Sequence, residues 1–409
     1  MNEHLHHSLN DAWEHITRLL FCDKTNLIYD YLGSLDDHRF DFLPYPEEIR
    51  QDFPNPRGYS TGMEDSMINN GMMTAAALLR ALLFPEYHDE CRHFAAKLLQ
   101  GMELCATVHG RNGYIVRSVS HRDGKSCYSC SSRDQMTFWV WGLWRYFHSP
   151  FATEAEQQKI RELSVMLASR GEKEIKAENN YSYLTLGGVP DILNQMDEVK
   201  PHEILRLPMF YLAAWKLSGD PHWHDLFEGI IERCLKCAAE DKSYWNHFEL
   251  SQFLLTLAFL HEAEPRPEYS AIAGKIGDIA EKQLCEKFLP QLEQWQGTWS
   301  IPATAWRDST ALRLNRQSDG SVVANGRLDL RCEQTPGFHE LMDLMRIPGN
   351  LMMGLLLAPE RSVSVDLTCR FLAAFERPDY RVCTSCASVN LLYAALLALK
   401  NLSLKTTEN

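Results

Sequence analysis

The stretch Met136-Thr137-Phe138-Trp139-Val140-Trp141-Gly142-Leu143-Trp144 is apolar on every side of a helix. After a turn marked by Pro150 comes Thr153 to Lys176, a segment of helical spacing with a charged face. A helix apolar all round is buried, whereas one with a polar stripe faces water. The pair therefore reads as an inner helix followed by an outer one, antiparallel because the turn between them is short. Leu250 to Leu260 repeats the inner type. Working outward, apolar residues recur at helical spacing nearly everywhere, and long alternating strand-like runs are almost absent. The spacing predicts helices at 8–32, 67–83, 87–107, 133–148, 153–178, 201–218, 221–239, 248–263, 269–292, 338–358, 362–375 and 384–400.

Pro85, Pro150, Pro221, Pro265 and Pro359 fall in short gaps or at a first helical position, where the missing N–H is harmless. The other gaps, 33–66, 108–132, 179–200, 240–247, 293–337 and 376–383, are mostly longer and alternate with the tight ones. Tight turns then lie at one end and elaborate loops at the other. The expected fold is all-α: an (α/α)6 toroid of six helical hairpins, one domain over 1–409, with its long loops where the inner helices begin. An open solenoid of helix pairs is the alternative, but the chain has no fixed repeat length and no capping unit.

Composition narrows the function. With 45% hydrophobic and 23% charged residues, the 409-residue chain is globular. Its formal charge of -13, with no basic stripe, argues against nucleic acid as a partner. No apolar run in the sequence approaches the roughly 18 residues of a bilayer span, so no membrane partner is expected. Met1 to His7 lacks the basic and apolar regions of a secretory signal. Twelve cysteines, several within apolar helical patterns, fit a reducing compartment. The expected location is the cytoplasm, or the periplasm if a leader has been trimmed. The CxxC pairs Cys127/Cys130, Cys234/Cys237 and Cys383/Cys386 stand apart in sequence, so a four-ligand zinc site is not expected.

The loops before the inner helices concentrate aromatic rings, carboxylates, Arg and His. The first holds Arg57 and Glu64-Asp65, and the second holds Tyr114, Arg117 and His121, then Arg133-Asp134-Gln135. Tyr183 lies in the third, Trp245 and His247 in the fourth, and Trp299, Trp306 and Arg307 in the fifth. Such a mixture suits a sugar, whose C–H faces stack on rings while its hydroxyls need paired donors and acceptors. Capping explains single acids and hydroxyls at helix starts, but capping has no use for Trp and Tyr. Asp134 is the leading carboxylate: burial against Phe138 and Trp139 raises its pKa, whereas Arg133 and the helix N-terminus lower it. Glu64 and Asp65 precede the neighbouring inner helix, and paired acids across a glycosidic or vinyl-ether oxygen are what glycoside chemistry requires. Either of the two could be the partner.

The toroid of acids, Trp, Tyr, His and Arg, with Ser132-Arg133-Asp134-Gln135 at an inner-helix start, resembles the six-hairpin glycosidases. The resemblance is closest to the unsaturated glucuronyl and rhamnogalacturonyl hydrolases of bacterial polysaccharide breakdown. It implies that Asp134 protonates the C4–C5 double bond of an unsaturated uronic acid and then activates water, with Asp65 assisting. It requires no metal or organic cofactor. The expected partner is an acidic oligosaccharide, with Arg57, Arg117, Arg133 and Arg307 available for its carboxylate. The competing readings are a polysaccharide lyase using Tyr183, His121 or His247 as base, a zinc–cysteine enzyme built on Cys332-Glu333, and a toroid that only binds a glycan or a protein.

Overall fold

The computed structural model describes residues 3–240, 246–301, 306–308 and 338–407. They are predominantly helical, with two short antiparallel pairs, Phe21–Cys22 with Leu27–Ile28 and Ser182–Leu184 with Pro190–Gln195. The fold class is all-α, as expected.

Most boundaries fall where the periodicity changes, and the exceptions have local causes. The first expected helix ends early: Glu3–Glu14 widens into a π-turn at His15–Leu20 and gives way to the first hairpin. Asp23-Lys24-Thr25-Asn26 makes its turn, with Asn26 at φ +56°, a conformation Asn tolerates better than most residues. The helix expected from 201 begins at Arg206. The helix expected over 269–292 is Pro267–Gln283, a π-turn at Leu284–Phe288 and a last piece, Leu289–Gln294, with Pro290 in its first turn.

Six helices carry the apolar-all-round pattern: Ser66–Leu83, Arg133–Phe147, Arg206–Ser218, His247–Ala263, Phe338–Leu357 and Ala387–Thr407. Each packs against the next in that order, and the Ala387 helix packs against the Ser66 helix. Other helices pack against these. His88–Thr107 covers the Ser66 helix, and Glu154–Glu174 and Pro221–Ala238 cover the Arg206 helix. Pro267–Gln283 covers the His247 and Phe338 helices, and Val365–Phe375 and Glu3–Glu14 cover the Ala387 helix. The Arg133 helix is buried on every face, whereas the Glu154 helix buries one stripe that includes Ile160, Leu163 and Leu167. That is the inner and outer character read from the sequence. Within the Ala387 helix, Ala387–Lys405 is long and apolar enough to cross a bilayer by length and composition, but 61% of it is buried inside the protein. The buried apolar residues form one continuous core from Leu5 to Ala398.

The closest helix approach positions the site. A Cβ on Gly71 would stand 2.1 Å from the Phe138 carbonyl oxygen, and one on Gly142 would stand 2.8 Å from the Gly71 Cα. Two glycines thus let the Ser66 and Arg133 helices meet almost backbone to backbone, which draws together the carboxylates at their starts.

Candidate active site

Asp30, just beyond the first hairpin, organises the entry to the Ser66 helix. Its carboxylate accepts the backbone N–H of Glu64 at 2.6 Å and of Asp65 at 3.0 Å, and the Asn69 amide at 3.1 Å. The backbone carbonyl of Asp30 accepts the Cys386 N–H at 2.8 Å, which joins the start of the Ala387 helix to the same point. Asp65 is the N-cap of the Ser66 helix.

The next helix is tied on through Gln135. Ser132 caps the Arg133 helix. One turn in, the Gln135 amide donates to Asp65 Oδ1 at 2.8 Å and to the Glu64 carbonyl at 2.9 Å. Arg117 reaches the same group, with Nη1 2.8 Å from the Glu64 carbonyl and 3.5 Å from Asp65 Oδ1. Further links follow from helix to helix. Arg206 donates through Nη1 to Asp134 and through Nη2 to Gln252 on the His247 helix. Asn350 on the Phe338 helix meets His247 at 3.3 Å, and Asn390 on the Ala387 helix donates to Asn350 at 2.6 Å. Asn390 also lies 3.5 Å from Met72 Sδ on the Ser66 helix.

Where these helices begin there is a cavity of about 260 Å³. The Ser66 helix and the chain before it contribute Asp30, Tyr59, Glu64, Asp65 and Ile68, and Arg117 and Asp134 come from the second loop and helix. His202, Glu203 and Arg206 surround the third start, and Asn246, Phe248, Glu249 and Gln252 the fourth. Met342, Arg346 and Cys386 complete the lining. The volume lies near the lower end of small-molecule sites, which run from roughly 300 Å³.

The electrostatics are acidic, with arginines interleaved. Asp134 opens to the cavity, with 42% of its side chain accessible. Burial alone would raise its pKa, but the Arg206 and Arg133 guanidiniums outweigh burial, and it is lowered below the ordinary 3.8. Asp134 is therefore a carboxylate across the neutral range, and the balance the sequence left open falls on the side of the arginines. Asp30 goes the other way: burial first, then the charges of Asp65 and Glu64, raise it well above 3.8 against the pull of the two backbone N–H donors. Glu203 is also held down, as Arg133, Arg206 and His202 outweigh its burial. Burial pushes His202 to about 4, so it is neutral at pH 7.

Of the residues expected from the sequence, Glu64, Asp65, Arg117 and Asp134 line this cavity, and Gln135 touches Asp65 from behind it. Arg133 stands beside it, donating to the Ile192 and Gln195 carbonyls and to Glu203, so it supports the site rather than facing it. Several others lie outside the lining and have structural partners. Arg57 forms a buried pair with Asp191 at 2.8 Å. Tyr114 is buried and donates to the Ser129 carbonyl, and Tyr183 is buried and donates to the Leu167 carbonyl. His121 packs on Tyr29 and Phe40. His247 stacks against Phe248 with Asn350 beside it, and Trp299 packs on Trp295. Trp306 is buried with its indole donating to the Phe42 carbonyl, and Arg307 is bidentate to Glu48. Trp245 and Cys332-Glu333 lie outside the described residues. Tyr114, Arg133, His247 and Trp306 thus stand outside the lining that holds Asp134: helix and loop packing uses their rings and charges.

The sequence reading missed Asp30, Tyr59, Arg206, Phe248, Gln252 and Arg346. Three had a readable signal, since Arg206, Gln252 and Arg346 are polar residues inside otherwise apolar helical patterns, and such groups are seldom buried without a partner or a task. As for metal, His224, Glu228 and Glu264 could gather around a cation among the described residues. Arg266 and Lys216 already occupy those carboxylates. The described cysteines are free.

No protein-family model matches the chain, and no curated protein matches it in sequence. The functional reading therefore rests on the residues around the cavity.

Proposed function

We propose that the six apolar helices close into the inner ring of an (α/α)6 toroid and that the protein is a glycoside hydrolase acting at the end of an acidic oligosaccharide. The helix-to-helix packing, which returns from the Ala387 helix to the Ser66 helix, supports the ring. One observation carries the activity. Asp65 and Asp134 face the same cavity from the starts of two helices that two glycines bring together. Paired carboxylates on such a cavity are the equipment of glycoside chemistry.

In this reading the substrate is a terminal unsaturated uronic acid. Asp134 starts as a carboxylate held by Arg206, and an incoming sugar carboxylate adds negative charge that raises its proton affinity. As the anionic sugar binds, Asp134 takes up a proton from solvent and passes it to the double bond; water adds to the cation so formed and gives its proton to the carboxylate, which releases it to solvent as the cycle closes. Asp65, fixed by Gln135 and Arg117, positions that water. The lyase reading is less well served, because Tyr183, His121 and His247 lie outside the cavity lining and Tyr59, the phenol within it, has a pKa raised by burial.

The test is turnover of an unsaturated uronyl disaccharide, followed by loss of the ultraviolet absorbance of its double bond. Asp134→Asn keeps size and shape while removing the titrating proton, and it should lower kcat by about 10²–10⁴ with melting little changed. A gain of absorbance on intact polymer would replace the hydrolase by a lyase. Near-normal kcat in both Asp134→Asn and Asp65→Asn would move the acid/base role elsewhere.

A further inference from the structure

Three of the four arginines expected from the sequence to hold a substrate carboxylate are committed elsewhere: Arg57 to Asp191, Arg307 to Glu48, and Arg133 to Glu203 and two carbonyls. The cavity itself presents three guanidiniums. Arg117 donates to the Glu64 and Ser131 carbonyls and to Tyr59, and pairs with Asp65. Arg206 is divided between Asp134 and Gln252. Moving either would dismantle the acids the chemistry needs.

Arg346 is different. Its Nη2 donates at 2.7 Å to Asp343, a neighbour on its own helix with 43% of its side chain accessible. Its Nε is buried and has no hydrogen-bond partner, and Nη1 has none among the described residues. The guanidinium carbon lies 4.5 Å from the centroid of Phe248, also in the lining, so the group rests over a ring. The cavity acids already have partners. Asp134 has Arg206, Asp65 has Gln135 and Arg117, Glu203 has Arg133, and Glu249 has Lys200 and its own helix start. Nearby His247, which burial lowers to about 3, brings no competing positive charge at neutral pH.

We infer that Arg346 is the specificity-determining residue that receives the carboxylate of an acidic sugar, with Phe248 as the platform it rests over. The inference rests on the glycosidase reading for its substrate class. A guanidinium with free donors on a rigid support pairs with a carboxylate in a directed way that a neutral sugar cannot exploit. In the packing order the Phe338 helix follows the His247 helix and stands three steps from the Arg133 helix and two from the Ser66 helix. The bound sugar then lies across the cavity with its carboxylate on Arg346 and its reacting end toward the two acids.

The experiment is calorimetric titration of D-glucuronate and D-glucose into the wild-type protein, Arg346→Gln and Asp343→Asn. Wild type should prefer glucuronate by on the order of 10- to 100-fold, the range of a charge-assisted hydrogen-bonded pair. Arg346→Gln should bring that ratio close to one without changing the affinity for glucose. Asp343→Asn removes the negative charge that competes for the guanidinium and should raise the ratio, a gain that misfolding cannot imitate. No preference in the wild type, or a preference that survives Arg346→Gln, overturns the inference. The hydrolase reading is judged separately by turnover. An Arg346-dependent preference without turnover keeps this assignment and removes the hydrolase, whereas turnover with an unchanged ratio in Arg346→Gln does the reverse.

Discussion

Replacing Gly71 by Ala should damage stability and activity together, because the glycine lies at the contact that sets the spacing of the two acids. The added Cβ would stand 2.1 Å from the Phe138 carbonyl oxygen and 2.7 Å from its carbon, both backbone atoms that cannot swing aside. The Ser66 and Arg133 helices would have to part by about 1 Å to restore van der Waals contact. Overpacking of this kind costs roughly 1–3 kcal/mol, and Ala returns about 1 kcal/mol through its helix propensity. The net loss should appear as a Tm lower by a few degrees. Activity should fall further, since a misplacement of about 1 Å between reacting groups lowers turnover by about 10²-fold. The control is Gly229→Ala in the outer Pro221–Ala238 helix, where a Cβ meets nothing within 4 Å. That change should be neutral or stabilising. Thermal melting and uronyl turnover of the two variants decide the matter, and equal melting and equal kcat for Gly71→Ala and Gly229→Ala would refute the reasoning.

Acid should weaken the fold well before the carboxylates titrate. Burial lowers His15 from 6.5 to about 4, so its contribution is complete above pH 6.5 and is lost as pH falls toward 4, where the unfolded chain binds a proton that the folded chain refuses. The loss is on the order of 3 kcal/mol, and His15→Gln should make the denaturant midpoint fall less across that window, leaving the part due to other buried histidines such as His202 and His247; an unchanged slope refutes it. The Arg57–Asp191 pair, with side chains 5% and 10% accessible, is a structural element, so Asp191→Ala should destabilise by about 3–5 kcal/mol by leaving a buried charge alone. If that variant instead melts like the wild type and raises KM for the sugar, Arg57 belongs to the binding site after all.

The helical class and most element boundaries were legible because the inner helices are apolar all round and Pro85, Pro150, Pro221 and Pro359 mark the tight turns. Asp65, Asp134 and Arg117 were legible because they stand in the long loops and first turns that precede the inner helices expected from the sequence. Asp30 was hidden. The periodicity absorbed it into a helix that in fact ends before the Asp23–Asn26 turn, and only the folded chain shows its carboxylate under the Glu64 and Asp65 amides. The aromatic residues misled for a related reason. Large rings in loops between helices fill the gaps that loops leave, as Tyr114, Tyr183 and Trp306 do, and one sequence does not separate that use from sugar stacking.

The arginines say more about this site than its acids do. Carboxylates at helix starts are what capping and the helix dipole favour on their own, so a cavity formed where helices begin is acidic by default. Cations at such positions are opposed by the same dipole, by roughly 0.3–1 kcal/mol each. Yet Arg133 and Arg206 are the first residues of their helices. Each is offset by an acid it holds ionised, Glu203 for Arg133 and Asp134 for Arg206. Capping gains nothing from this arrangement, whereas a site that must keep Asp134 charged until an anionic ligand arrives needs it. Exchanging Arg206 for Met should therefore raise the pKa of Asp134, because burial then acts with less opposition. The alkaline limb of the kcat/KM profile, above which Asp134 lacks the proton it must deliver, should move upward in pH, while a merely structural Arg206 would lower the melting temperature and leave the limb where it was.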